Sequence, residues 1–290
     1  MRRPKPKSGY VLLLVLLVLV VAGTVLAAAA RRSADNAVRA AAAQRDLQVH
    51  WGALSCRATL LPMAEELLDA TAAADEPIIQ EARGTVFLGG MRFNLVLSDE
   101  QAKVNVGALA AKYGDDRLRN AMRKLQADGR RPLEVRLRPI KTSADSEAAA
   151  CYVSLDQVFV LTHPSQWIGP EPGDGAVVHR RVTCWGSGRI NLKRAEVATL
   201  REALGGALTD AQLTRLDDIR RHDPEAGLPK ILPQLQLSGE QTATVVEAAT
   251  DTSECHSLWA CVEDKTRQWY RLFVEETPAN GTAKDWTYSW

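Results

Sequence analysis

The sequence is poor in the features that mark most enzymes and nucleic-acid-binding proteins. Lys and Arg total 36 against 35 Asp and Glu, so the formal charge of +1 offers no global attraction for nucleic acid or an acidic polymer. Histidine is sparse, and His50, His163, His179, His222 and His256 form no H-E-x-x-H or other zinc spacing. No Asp-rich loop has the spacing of a calcium site. Gly186-Ser-Gly188 follows a strand-like stretch, but it lacks the third Gly of a dinucleotide loop and the framing of a nucleophile elbow, so it reads as a turn. These absences leave no catalytic residue, metal ligand or cofactor site to assign, and the chain reads as non-enzymatic. With 46% hydrophobic and 24% charged residues it is not a disordered chain either.

Charge is missing altogether from one stretch. The 21 residues from Tyr10 to Ala30 carry none, and at about 1.5 Å of rise each they span roughly 31 Å, the thickness of a bilayer's hydrocarbon core. No comparable run occurs elsewhere, which excludes a polytopic membrane protein. Arg2, Arg3, Lys5 and Lys7 precede the run and Arg31 and Arg32 follow it, so the positive-inside bias favours a cytoplasmic amino terminus with the bulk of the chain outside. Three readings compete for the segment. It is a plain anchor, a secretory signal cut among the small residues of Val25 to Ala30, or a leader of the pilin type ending at Lys7-Ser8-Gly9 and cleaved before Tyr10.

Beyond the run, Leu47, Trp51, Leu54, Ala58, Leu61, Ala64 and Leu68 recur at steps of three and four, as on an amphipathic helix that Pro62 should kink or end. Thr85 to Leu97 then places two strand-like stretches around Gly89-Gly90, as a tight hairpin requires, with Met91, Phe93, Leu95 and Leu97 on one face. Ser257 to Val262 and Trp269 to Val274 read as two more strands. Trp286, Tyr288 and Trp290 alternate with Thr287 and Ser289 as a last strand with its aromatics on one face. The middle is mainly helical. Thr209 to Gln212 and Ser238 to Gln241 fit capping boxes and predict helices over about 210–221 and 239–249. Leu133, Val135 and Leu137 alternate like a strand, Ser154 to Leu161 fits either type, and Lys141–Glu147 and Gly169–Gly175 read as loops. Lys103-Val-Asn-Val106 and Arg189-Ile-Asn-Leu192 echo one another, each with an Asn able to bond local backbone where a helix follows.

Cys56, Cys151, Cys184, Cys255 and Cys261 are odd in number, so at least one stays unpaired or pairs between chains. In an oxidising compartment Cys255 with Cys261 is one candidate disulfide and Cys151 with Cys184 another, while burial as small hydrophobes is the alternative. Ile190 to Arg221, with a helix, Gly205-Gly206 and a capped helix, resembles a helix-hairpin-helix module, and between Arg180 and Arg221 nine Lys/Arg face five Asp/Glu, which makes a membrane-anchored DNA receptor of the competence type the second reading. A Gly-hydrophobic-Gly hairpin is the usual form there, and Gly205-Gly206-Ala207 departs from it.

Taken in order, the Lys7-Ser8-Gly9 leader with its apolar run, Ser98-Asp-Glu-Gln-Ala-Lys-Val-Asn-Val106, Val182-Thr-Cys-Trp-Gly-Ser-Gly-Arg-Ile-Asn-Leu192, Leu228-Pro-Lys-Ile-Leu232 and the C-terminal strands resemble the K-type minor pseudopilin of bacterial type II secretion systems. The motif residues carrying the resemblance are Asn105, Trp185, Gly186, Gly188 and Asn191. The resemblance implies an α+β fold with an N-terminal transmembrane spine helix and a pilin-like antiparallel sheet holding an inserted helical domain. It divides the chain into a leader (1–9), a transmembrane helix (10–30), its periplasmic continuation (31–73), a β part (74–98 and 250–290) and a mainly helical insert (99–249). It further implies prepilin-peptidase processing between Gly9 and Tyr10, methylation, a single-pass place in the bacterial inner membrane, and a tip role in protein export. The implied partners are the I-type and J-type minor pseudopilins, the major pseudopilin and the inner-membrane assembly platform, with nucleic acid not among them. Pilins in general carry Glu at the fifth mature position, which here is Leu14, and the K type is similar in lacking it.

Overall fold

A computed structural model describes residues 8–71, 80–127, 132–139, 152–168, 178–263, 267–278 and 281–290. Its helices are α1 (Ser8–Leu60), α2 (Ala64–Thr71), α3 (Val106–Lys124), α4 (Val178–Arg181), α5 (Val197–Ala203), α6 (Asp210–His222), α7 (Leu228–Gln234) and α8 (Gly239–Ala248). Its strands are β1 (Glu81–Leu88), β2 (Met91–Asp99), β3 (Val104–Asn105), β4 (Val182–Thr183), β5 (Ile190–Asn191), β6 (Ala249–Thr250), β7 (Cys255–Glu263), β8 (Gln268–Glu276) and β9 (Lys284–Ser289). The α+β expectation holds. Two units divide the chain, Met1–Trp51 and Gly52–Trp290.

In the first unit the described residues are helical, and every one from Tyr10 to Arg45 is exposed. Leaving that many Leu and Val side chains in water costs on the order of tens of kcal/mol, so this surface demands lipid or other helices around it. Among the described residues it is the one helix long and apolar enough to cross a membrane.

The second unit is built on an antiparallel sheet in the order β1-β2-β7-β8-β9. Gly89 and Gly90 close the first hairpin with φ of 58° and 79°, the left-handed pair that a two-residue turn between twisted strands needs. Phe93, Leu95 and Leu97 are buried on one face, as the alternation predicts, although Met91 at the hairpin end is only half-buried. This face receives the end of α1. A side-chain carbon at Gly52 would stand 2.2 Å from Phe93 Cζ, so the helix sits against the ring only because position 52 has no side chain. The helical face predicted from large apolar residues is therefore partly rotated. Leu61, Ala64 and Leu68 are buried as expected, but Leu47, Trp51 and Ala58 are exposed, and Gly52, Ala53 and Cys56 take the inward positions. Small residues win because close approach of helix to sheet excludes large ones. Pro62 ends α1 as expected, inside a 3-10 turn over Leu61–Met63.

Val96, Trp259, Leu272 and Val274, on the opposite face, share a core with Leu109, Leu118 and Met122 of α3 and with Phe159, Trp167 and Trp185. A second core gathers Leu200, Leu204, Leu213, Leu216, Ile231, Leu235 and Val245 from α5 to α8. The chain between β2 and β7 thus splits, its first part completing the sheet's core and its second forming one of its own. Both expected capping boxes are made, on α6 and α8. The strand expected near Val135 is reduced to a single antiparallel bridge with Phe159, and Leu155–Gln157 forms a 3-10 turn. The loops expected at 141–147 and 169–175 lie outside the described residues.

Candidate functional site

The motif residues gather where β2 leaves the sheet. Asp99 is fully buried and stops the strand by capping a 3-10 turn over Glu100–Ala102. Its Oδ1 accepts from the amides of Gln101 (2.8 Å) and Ala102 (3.2 Å). The same oxygen accepts the Ser253 hydroxyl at 2.6 Å, and Oδ2 accepts Nδ2 of Asn191 at 2.9 Å. Gln101 reaches both ways, its Nε2 donating to Ser187 Oγ (2.7 Å) and its Oε1 accepting the Glu254 amide (2.5 Å). Four residues on, Asn105 caps α3 by accepting the Ala108 amide at 2.9 Å, while its Nδ2 donates to the carbonyls of Trp185 (2.9 Å) and Gly186 (3.3 Å).

The Gly-Ser-Gly turn explains why those carbonyls are available. Gly186 and Gly188 have φ of 87° and 82°, where other residues are strained, and a side-chain carbon at Gly188 would lie 2.7 Å from Ala108 Cβ. The turn therefore lies directly over the start of α3. The sequence echo also acquires a physical basis. Val104-Asn105 and Ile190-Asn191 are both two-residue strands in parallel pairs, with Val182-Thr183 and with Ala249-Thr250. Asn105 caps a helix, whereas Asn191 accepts the Lys193 amide in a turn that precedes α5.

The five motif residues thus lie in or beside the segment 98–108, with Asn105, Trp185 and Gly186 in direct contact, Gly188 against Ala108, and Asn191 joined to it through Asp99. Sequence reasoning missed Asp99, Gln101 and Ser253 as members of this junction. The Asp before a turn was a readable capping signal, but a partner some 150 residues away was not. Chemically the junction is a lock. Its polar groups face one another rather than a cavity, which suits it to fixing the helical layer on the sheet.

The Cys255–Cys261 bridge is not formed. Both residues lie on β7, and six steps of extended chain separate their Cα atoms by about 20 Å, whereas a disulfide needs about 4–7 Å. Burial pushes both thiols above their ordinary range, that of Cys255 furthest, so they behave as small hydrophobes. Cys151, the partner considered for Cys184, lies outside the described residues. Gly9 falls in the first turn of α1, and Tyr10 after it is exposed. Among the described residues no three His, Cys, Asp or Glu side chains converge as metal ligands.

An electrostatic cluster ties β1 to α4. His179 Nε2 lies 2.9 Å from Glu81 Oε2 and Arg83 Nε 2.7 Å from Oε1. Burial works to raise the Glu81 pKa, but the His179 hydrogen bond, the His179 charge and Arg83 outweigh it and hold the carboxyl at about 2.

The basic stretch of the DNA-receptor reading is largely engaged within the fold. Arg180 and Arg181 pair with Glu196, Arg194 with Asp69, Arg201 with Asp210, and Arg220 and Arg221 with Asp217. Gly205 lies against Tyr113, whose hydroxyl would be 2.1 Å from any side-chain carbon there, so it is packed rather than open to a phosphate, whereas Gly206 has open space around it.

No protein-family model matches the chain, and no curated protein matches it. Among solved structures, it is similar to a chain of the crystal structure of the GspK-GspI-GspJ complex from the type 2 secretion system of enterotoxigenic Escherichia coli. The identity is 14%, the TM-score 0.47, and the similarity covers 87% of this chain and 99% of that one.

Proposed function

We propose that the chain is a minor pseudopilin of the K type, a non-enzymatic tip subunit of a type II secretion pseudopilus. One observation carries the reading. A single helix, α1, exposes an uncharged apolar surface through Tyr10–Ala30 and, from Gly52 onward, buries small residues against an antiparallel sheet. A helix serving both as lipid-soluble rod and as the packing element of a soluble fold suits a subunit that is held in a membrane and then extracted into a filament.

Processing would fall between Gly9 and Tyr10, with Gly9 serving the prepilin peptidase and Tyr10 becoming the new, methylated amino terminus. Position five is then Leu14, and its chemistry supports the tip assignment. A carboxylate in the bilayer costs about 2.5–3.5 kcal/mol unless it is paired. In a filament the pairing group is the terminal amine of the subunit above, and a subunit at the tip has none above it. Leu14 avoids that cost at no loss of contact. The partners follow from the same resemblance: the I-type and J-type minor subunits at the tip, the major pseudopilin below, and the inner-membrane platform that extracts them. The amino terminus would lie in the cytoplasm, and residues after Arg31 in the periplasm.

Amino-terminal sequencing of the protein extracted from membranes tests the reading. A start at Tyr10 is expected. A start near Ala28 or Ala29 would identify a secreted protein and remove the pseudopilin assignment.

A further inference from the structure

A cleft of about 410 Å³ opens where residues 154–167 meet the outer strands of the sheet, within the range typical of ligand sites. Its floor is a run of aromatic rings. Trp259 and Trp290 lie at 5.7 Å with planes 18° apart, Trp290 and Tyr288 at 6.0 Å and 16°, and Tyr288 meets Trp185 at 5.9 Å. Trp259 is buried, but Trp290 is 53% exposed, so a broad indole face stands at the cleft with a firm base of rings beneath it.

The polar groups around this floor select the ligand chemistry. Among the described residues that line it, the cleft has one charged side chain, Asp156, and neither Lys nor Arg, a lining that disfavours phosphates, nucleotides and acidic ligands. The hydroxyl protons at the rim are already directed inward. Ser154 Oγ donates to Asp156, and Thr162 Oγ1 donates to Gln166 Oε1 at 2.9 Å, so both oxygens offer lone pairs, as does the exposed carboxylate. His163 Nδ1 accepts the Ser165 amide at 3.2 Å, a contact that requires the tautomer with its proton on Nε2. The rim is therefore rich in acceptors, with an imidazole donor beside them. Of the indole and phenol donors that line the cleft, Trp185 Nε1 is engaged on Tyr288 Oη (3.4 Å) and Tyr288 Oη on the Val153 carbonyl (3.0 Å), while those of Trp167, Trp259 and Trp290 are spread along it. A proline-rich peptide presents carbonyl oxygens to such a groove, whereas a sugar presents hydroxyl protons around a ring whose C–H face lies flat on an indole.

We infer that this cleft binds a neutral saccharide, a pyranose ring stacked on Trp290 with its hydroxyls donating to Asp156, Thr162 and Ser154. The site stands independently of the pseudopilin assignment, since it uses no residue of the apolar helix.

Binding is measured on the full-length chain in polyoxyethylene detergent micelles, which carry no sugar headgroup, by titrating cellobiose, maltose and N,N′-diacetylchitobiose and following tryptophan fluorescence and heat release. At least one of the three is expected to bind saturably. Trp290→Ala should weaken that binding by about tenfold, a loss of about 1.4 kcal/mol, and Asp156→Asn should weaken it several-fold, with unchanged far-ultraviolet circular dichroism in both variants. No saturable binding by any of the three sugars overturns the inference. So does binding that both variants leave intact, because the sugar then sits elsewhere. A proline-rich peptide that saturates the cleft while all three sugars fail also overturns it.

Discussion

Exchanging the two side chains at the heart of the junction tests whether it locks the helical layer to the sheet. Asp99 Oδ2 accepts Nδ2 of Asn191 at 2.9 Å, and both residues are fully buried. Asp99→Asn can keep one oxygen for the turn amides of Gln101 and Ala102, but it then turns an amide nitrogen toward that of Asn191. Two buried amide donors, those of positions 99 and 191, are left facing one another without an acceptor and three hydrogen bonds lose their charged acceptor, for a combined cost of at least about 2–3 kcal/mol. Asn191→Asp faces two carboxylates across the same gap and costs about 3–5 kcal/mol, as an uncompensated buried charge does. The double variant restores one donor opposite one acceptor with the identities exchanged, and the carboxylate introduced at position 191 can still accept the Lys193 amide. It should be more stable than Asn191→Asp alone, with a coupling of at least about 1.5 kcal/mol. Urea unfolding of the full-length chain in micelles, followed by tryptophan fluorescence, reads this directly. With a slope of about 2 kcal/mol per molar, the Asp99→Asn midpoint falls by about 1 M or more. Effects that add within about 0.5 kcal/mol would refute the direct contact, and a silent Asp99→Asn would refute the lock itself.

Three further outcomes follow from other parts of the molecule. Gly52→Leu drives a side chain into the Phe93 ring and should destabilise the sheet unit by about 1–3 kcal/mol, whereas Gly23→Leu, at a position with open space around it, should leave the unfolding midpoint unchanged. Glu81 is held at about 2, below its ordinary 4.5, so its contribution is complete above pH 4.5 and is lost as pH falls toward 2; acid unfolding curves of wild type and Glu81→Gln should differ above pH 4.5 and converge below that window. Cys255 and Cys261, buried with raised thiol pKa values, should resist iodoacetamide at pH 8 in the folded protein, react fully in urea, and yield no peptide bridging the two in a nonreducing digest.

What could be read from the sequence was local. The Gly89-Gly90 turn, the alternating strands on either side of it, the two capping boxes and the break at Pro62 each depend on residues within a few positions of one another, and each is found where periodicity and turn chemistry put it. The failures share the opposite property. Which face of α1 turns inward was decided by the Phe93 ring meeting Gly52, so a search for large apolar residues favoured Leu47 and Trp51, and the small residues that permit contact carried no comparable signal. The Cys255–Cys261 pairing failed because nearness along a chain becomes distance along a strand. The motif residues fall between these cases. Asn105 and Asn191 could be singled out as capping residues, but their second function, in which Asn105 holds the Gly-Ser-Gly turn and Asn191 holds Asp99, appears only when residues 80 and 92 positions apart are brought together. A capping Asn has one amide group left over after its oxygen has been used. Buried, that group needs an acceptor, so each of these local signals also implied an unseen partner that only the tertiary fold could supply.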